Sequence, residues 1–150
     1  ELHDATTYAL VDTAVGTLHT DGTLSVTFNT AAAGDYYIAV KGSNMIQTWT
    51  AAPVSIGSTA ASYDFTSGAS QAYADNMIEV EPGVFAMYSG DISPDDFVDF
   101  VDYNIWEAKY LDFASGVEPS DLNGDGFVDF LDYNIWEANY LNFVSAIYPF

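Results

Sequence analysis

The 150-residue chain contains no cysteine and no arginine, and its only basic side chains besides His3 and His19 are Lys41 and Lys109. Without cysteine there can be no disulfide staple, no thiolate zinc site and no thiol nucleophile. Two lysines against 22 aspartates and glutamates leave a net charge of −20. Nucleic acid and anionic membranes both require clustered cations, so neither is an expected partner. No apolar run approaches the roughly 18 residues that suggest a membrane span. The two histidines stand alone, in no triad or metal spacing, and no GxSxG or HExxH pattern occurs. Paired carboxylates carry no catalytic information in so acidic a chain. The sequence therefore reads as that of a non-enzyme, and its start at Glu1 as a piece of something longer whose sorting signal lies elsewhere.

What is present is apolar and aromatic: hydrophobic residues make up 49% of the chain and aromatics 16%. A chain of this length and composition can bury one sizeable core or two small ones. Residues 1–89 carry short alternating runs between Gly, Pro, Ser and Asn, which predict a β-sandwich of seven or eight strands. The expected strands are YALV (8–11), GTLSVTFN (22–29), DYYIAVKG (35–42), IQTWT (46–50), PVSI (53–56), ASYDF (61–65), MIEV (77–80) and VFAMY (84–88). Tyr36, Tyr37, Trp49 and Tyr63 are expected to fill its core. A rival use for them is an exposed platform on which a sugar stacks.

From Asp91 the period changes to that of a helix. VDFVDYNIWEAKYL (98–111) and VDFLDYNIWEANYL (128–141) place Val98, Val101, Ile105 and Ala108, then Val128, Leu131, Ile135 and Ala138, on one expected buried stripe. A second stripe is aromatic: Phe100, Tyr103, Trp106 and Tyr110, repeated as Phe130, Tyr133, Trp136 and Tyr140. It either packs internally or forms a partner-binding face, because interfaces favour Tyr, Trp and Phe. The two segments form an internal repeat of 30 residues. Positions 98–113 and 128–143 differ only at Val101/Leu131, Lys109/Asn139 and Asp112/Asn142. The apolar tail FVSAIYPF (143–150) is expected to return to the sandwich or to engage a neighbour.

Each helical segment is led by a twelve-residue acidic loop. In DLNGDGFVDFLD (121–132), Asp121, Asn123, Asp125, Asp129 and Asp132 fall at positions 1, 3, 5, 9 and 12. Gly126 takes the sharp turn at position 6, and the Phe127 carbonyl comes at position 7. Those are the oxygen donors that Ca²⁺ gathers from an adaptable loop. Acidic residues also favour helix N-termini for electrostatic reasons, but that preference does not specify five offsets and a glycine. In DISPDDFVDFVD (91–102), the same positions hold Asp91, Ser93, Asp95, the Phe97 carbonyl, Asp99 and Asp102. Pro94 stiffens this loop and Asp96 replaces the turn glycine, so weaker binding is expected.

No helical pattern precedes either loop. Two half EF-hands, each with Asp at position 12, resemble the dockerin fold over residues 90–143. The chain as a whole is similar to C-terminal modules of secreted or surface proteins of Bacteroidota. There, stretches such as YYIAVKGSNMIQTWTAAPVS and VFAMYSGD run directly into such a repeat. The resemblance implies an N-terminal immunoglobulin- or fibronectin-III-like sandwich (1–89) fused without a linker to a dockerin-like module (90–150). It further implies two calcium ions and an extracellular or cell-surface setting. The implied role is attachment to a cohesin-like protein or to further copies of the chain. Family members make contacts through loop positions 10 and 11, here Phe100-Val101 and Phe130-Leu131. A calcium-stabilised carbohydrate-binding sandwich is the alternative function.

Overall fold

The computed structural model describes residues 1–150 as a mixed fold with two antiparallel sheets, no closed barrel, and two helices. The larger sheet contains β1 (Leu2–Asp4), β2 (Leu10–Asp12), β3 (Gly34–Val40), β4 (Thr48–Trp49) and β5 (Val54–Ile56). The smaller is a hairpin of β6 (Ile78–Glu81) and β7 (Val84–Ala86), turned at Gly83 with φ 78°. Strand β3 organises the large sheet. It pairs with β1 along one edge, and with β4 and β5 at opposite ends of the other.

Strand β1 is a three-residue element without a legible sequence pattern, yet Leu2 is fully buried between β2 and β3. Conversely, GTLSVTFN forms no strand. Both edges of β3 are taken, and the segment lies back on its own chain. Leu24 and Val26 rest so closely on Gly16 that a Cβ there would meet them at 2.7 and 2.9 Å. Its end is tied to the sheet by Asp12, whose Oδ2 accepts from the Thr30 and Ala31 amides at 2.7 and 3.0 Å. These bonds, that from Thr30 foremost, hold the Asp12 carboxyl down at about 2. Residues 61–65 form no strand either. Tyr63 fixes that stretch by donating to the Gln71 carbonyl at 2.6 Å and accepting from the Ala51 amide at 3.3 Å. Of the expected aromatic core, Trp49 and Tyr36 are buried, whereas Tyr37 and Tyr63 are only partly so.

The helices α1 (Phe100–Leu111) and α2 (Phe130–Leu141) begin at Asp99 and Asp129. Each N-cap carboxylate accepts a first-turn amide at 2.7 Å, and the aspartate three residues on accepts the N-cap amide, completing a capping box. Each helix ends in the same reversal, with the Ala114 amide bonded to Lys109 and the Val144 amide to Asn139. The left-handed position of that turn holds Phe113 and Phe143, at φ 52° and 53°, where glycine would be at ease.

The expected aliphatic stripe is buried only in part: Val98 and Val128 are 3% and 5% exposed, but the helices do not bury the rest of it. Val101 and Leu131 are exposed by 48% and 55%, while Trp106 and Trp136 are 3% exposed. The two halves share one of the two small cores of the helical region. Ile46 and Tyr88 from the β half pack with Val98, Trp136 and Val144. The second core, around Ile92, Trp106 and Val128, is built wholly from residues beyond 90. The tail packs back on the sheet, with Tyr148 and Phe150 against Trp49 and Phe150 also against Tyr8.

Candidate functional site: paired acidic loops and an aromatic helix pair

The sequence repeat folds into a near-exact structural repeat, and the two copies lean on each other. The Val98 amide, at loop position 8, donates to Val144 at 3.0 Å, and its counterpart Val128 donates to Ala114 at 3.0 Å. Likewise Ala146 donates to the Asp96 carbonyl and Gly116 to the Gly126 carbonyl, both at 2.8 Å. Each loop is therefore held by the segment that follows the other loop's helix.

The aromatic stripes obey the same exchange. Trp106 stacks on Tyr110 at 5.1 Å and 13°, and Trp136 on Tyr140 at 4.9 Å and 11°. Tyr103–Trp136 and Trp106–Tyr133 both stand at 5.2 Å, and Phe100–Tyr140 matches Tyr110–Phe130 at 5.4 and 5.3 Å. Tyr103 meets Tyr133 at 6.2 Å, where a pseudo-two-fold axis would pass. The stripe is thus shared between two roles. Its tryptophans are interior, its tyrosines half-buried, and Phe100 and Phe130 nearly 60% exposed. Tyr103 and Tyr133 donate to Glu107 and Glu137 at 2.7 Å, bonds that raise both hydroxyls above the ordinary tyrosine value.

Within the loops, the predicted ligand residues lie together, but their oxygens face the main chain. Asp132 is fully buried and accepts from the Leu122, Asn123 and Asp129 amides at 2.7, 3.1 and 2.8 Å. Asp102 repeats this with Ile92, Ser93 and Asp99, each at 2.8 Å. Asp121 accepts from Gly124, Asp125 and Gly126, and Asp91 from Asp95 and Asp96. Asn123 donates through Nδ2 to Asp125 at 3.1 Å, and Asp95 and Asp125 accept from Phe97 and Phe127. No three acidic or imidazole groups converge into a ready metal cage.

The donor chemistry nevertheless fits a hard cation. Carboxylate oxygens have about four lone-pair sites, so these amide bonds do not exhaust them. None of the ion pairs in the molecule neutralises a loop: they join Glu1 to His3 and Lys41, and Glu118 to Lys109. Ser93 Oγ, at ligand position 3, is buried without a hydrogen-bond partner. Burial pushes the Asp91 carboxyl up to about 6, and the charges of Asp102 and Asp95 add to the rise. A calcium ion would be held by Asp91, Ser93, Asp95 and the Phe97 carbonyl with Asp99 and Asp102, or by their counterparts from 121 to 132.

Asp96, the residue in place of the turn glycine, has φ 72° against 89° for Gly126, so the two loops turn alike. Its carboxylate accepts the Tyr148 hydroxyl, tying the first loop to the tail that packs on Trp49. Burial raises the Tyr148 hydroxyl, and the bond to Asp96 raises it further. Asp96→Gly relieves roughly 1 kcal/mol of left-handed strain but loses a charge-assisted bond of roughly 1.5–3 kcal/mol. We expect the glycine variant to melt a few degrees lower. It should also abolish the effect of Tyr148→Phe when the two are combined, and a higher melting point would show that the tether is worth less than the strain at Asp96.

Sequence reasoning missed this tether, whose only signal was a tyrosine in an apolar tail. It also missed Asn139, which is buried and donates to the Ser89 carbonyl at 2.7 Å, docking α2 on the β half. Trp49 lies in the core as expected, 2% exposed beneath Tyr148 and Phe150, and so is not available for the rival use as a sugar-stacking platform. His3 lies against Trp49 at 4.2 Å as a packed core histidine. No family model matches the chain, and neither a curated protein nor a solved structure matches it.

Proposed function

We propose that the chain is a calcium-binding, non-catalytic attachment module of an extracellular protein. In this reading, an immunoglobulin- or fibronectin-like β half carries a dockerin-like pair of loop–helix units that engages another protein. The observation that carries it is the exchange symmetry of residues 91–146. Two acidic loops with calcium-type donor spacing cap two helices, and each is braced by the other's trailing segment. No helix is long and apolar enough to cross a membrane.

Calcium at a hundred times its dissociation constant would add about 2.7 kcal/mol per site. That is a large share of a small domain's stability, in a chain that has no disulfide. The test is calorimetric titration with calcium, paired with thermal melts in calcium and in EDTA, on the intact chain and on Asp125→Ala. The expected result is two binding events, a melting point that collapses in EDTA, and loss of the tighter event in the variant. Absence of binding heat with an unchanged melt would reduce the acidic loops to helix caps and remove calcium from the proposal.

A further inference from the structure

Between α1 and α2 lies a groove of about 370 Å³, walled by Tyr103, Tyr110, Leu111 and Phe130, with Trp106 at its base and Glu107 as its one charged residue. Tyr110, stacked on the interior Trp106, gives it a π surface, and Glu107 keeps one carboxylate oxygen beyond the bond it accepts from Tyr103. Trp106 Nε1 is buried without a partner, whereas its counterpart Trp136 donates to the Asp99 carbonyl at 3.0 Å. The two sides of the helix pair are therefore not equivalent. The β half closes over the Trp136 cluster with Ile46 and Tyr88, and no apolar side chain from it joins the Trp106 cluster.

We propose that this groove receives a lysine or arginine side chain presented by an apolar surface of another protein. The inference rests on the attachment reading and specifies its partner. The groove's chemistry matches the two ends of such a side chain. An aliphatic stem lies against Leu111 and Phe130, while the cationic head meets Glu107 and the outer face of Tyr110, which is backed by Trp106. Charge complementarity selects the class of partner, because a surface of net charge −20 attracts a cationic one. It also argues against a second copy. The chain has no arginine, and Lys41 and Lys109 are paired with Glu1 and Glu118 at 3.6 and 3.0 Å.

The experiment uses the intact chain in calcium buffer, with a synthetic amphipathic leucine–lysine peptide as probe and its leucine–glutamine analogue as control. The indole N–H resonances of the three tryptophans report where binding occurs. The lysine peptide should shift the Trp106 resonance before those of Trp49 and Trp136. Glu107→Gln should weaken binding about tenfold, the loss of one charge-assisted contact. Glu79→Gln, on the exposed hairpin, should leave it unchanged. Equal binding of the glutamine peptide, equal weakening by Glu79→Gln, or no shift at Trp106 would overturn the proposal. So would calcium-dependent multimers in sedimentation that the peptide disperses. A chain that binds calcium and ignores the peptide sinks this inference alone. One that binds the peptide equally well in EDTA keeps the groove and loses the calcium half of the attachment reading.

Discussion

Asp132→Ala is expected to lower the melting point by about 10 °C even in EDTA, and by more in calcium, where a ligand is lost as well. The carboxylate is fully buried and its two oxygens accept three main-chain amides, from Leu122, Asn123 and Asp129. Alanine leaves those donors facing a small void. Each unsatisfied buried donor costs about 1–3 kcal/mol, and partial hydration of the exposed loop offsets some of it, so the sum is about 3–5 kcal/mol. At about 2–4 °C per kcal/mol for a domain of this size, the shift is readily measured. Asp125→Ala makes the contrast. Asp125 is exposed and bonds only within its own loop, so its loss should depress the melt in calcium and do little in EDTA. The two variants separate an aspartate that both braces the loop and would bind metal from one that would only bind metal. A melt of Asp132→Ala that matches the parent in EDTA would mean that position 12 acts only through bound metal.

That distinction shows where the sequence was informative. The twelve-residue loops were legible because their constraint is local: a turn at position 6 and a cap at position 9 are set by neighbours a few residues away. The helices follow from the same local logic, beginning at Asp99 and Asp129 as the spacing requires. The choice of buried stripe was not legible, because both candidate stripes are apolar. Size decides it. A tryptophan buries roughly 150–250 Å², worth about 4–6 kcal/mol at 25 cal/mol/Å², against about 1.5–3 for valine or leucine. Trp106 and Trp136 therefore take the interior, and Val101 and Leu131 are left outside.

In the β half the signal failed for the opposite reason, since pairing there depends on distant partners. Three-residue β1 is central only because β2 and β3 flank it. Residues 22–29 alternate as a strand should, yet pair with none of the strands and lie back on Gly16 instead. Alternation describes what a segment can do in a sheet, and contacts distant in sequence decide whether it does so.

The largest single loss should come from Trp136→Ala, and it should exceed the loss from Trp106→Ala although the two side chains are equivalent in sequence. Both rings are 3% exposed and both stack on a tyrosine, so each truncation carries the common cost of about 3–5 kcal/mol for a buried aromatic. Trp136 has two further attachments. Its Nε1 donates to the Asp99 carbonyl at 3.0 Å, a bond with a net value of about 1 kcal/mol. Its cluster also takes in Ile46, fully buried, so the cavity opens at the junction between the halves. Trp106 lacks both, because its Nε1 has no partner and its cluster contains no β-half residue. Denaturant unfolding should place the two variants about 1–2 kcal/mol apart, with Trp136→Ala the weaker, and it alone should loosen the β half from the helical pair. Equal losses would mean that the pseudo-two-fold survives docking and that either helix could be offered to a partner. Unequal losses in the expected order assign the two copies different work: α2 is committed to holding the molecule together, and α1 is left open along the groove that ends at Glu107.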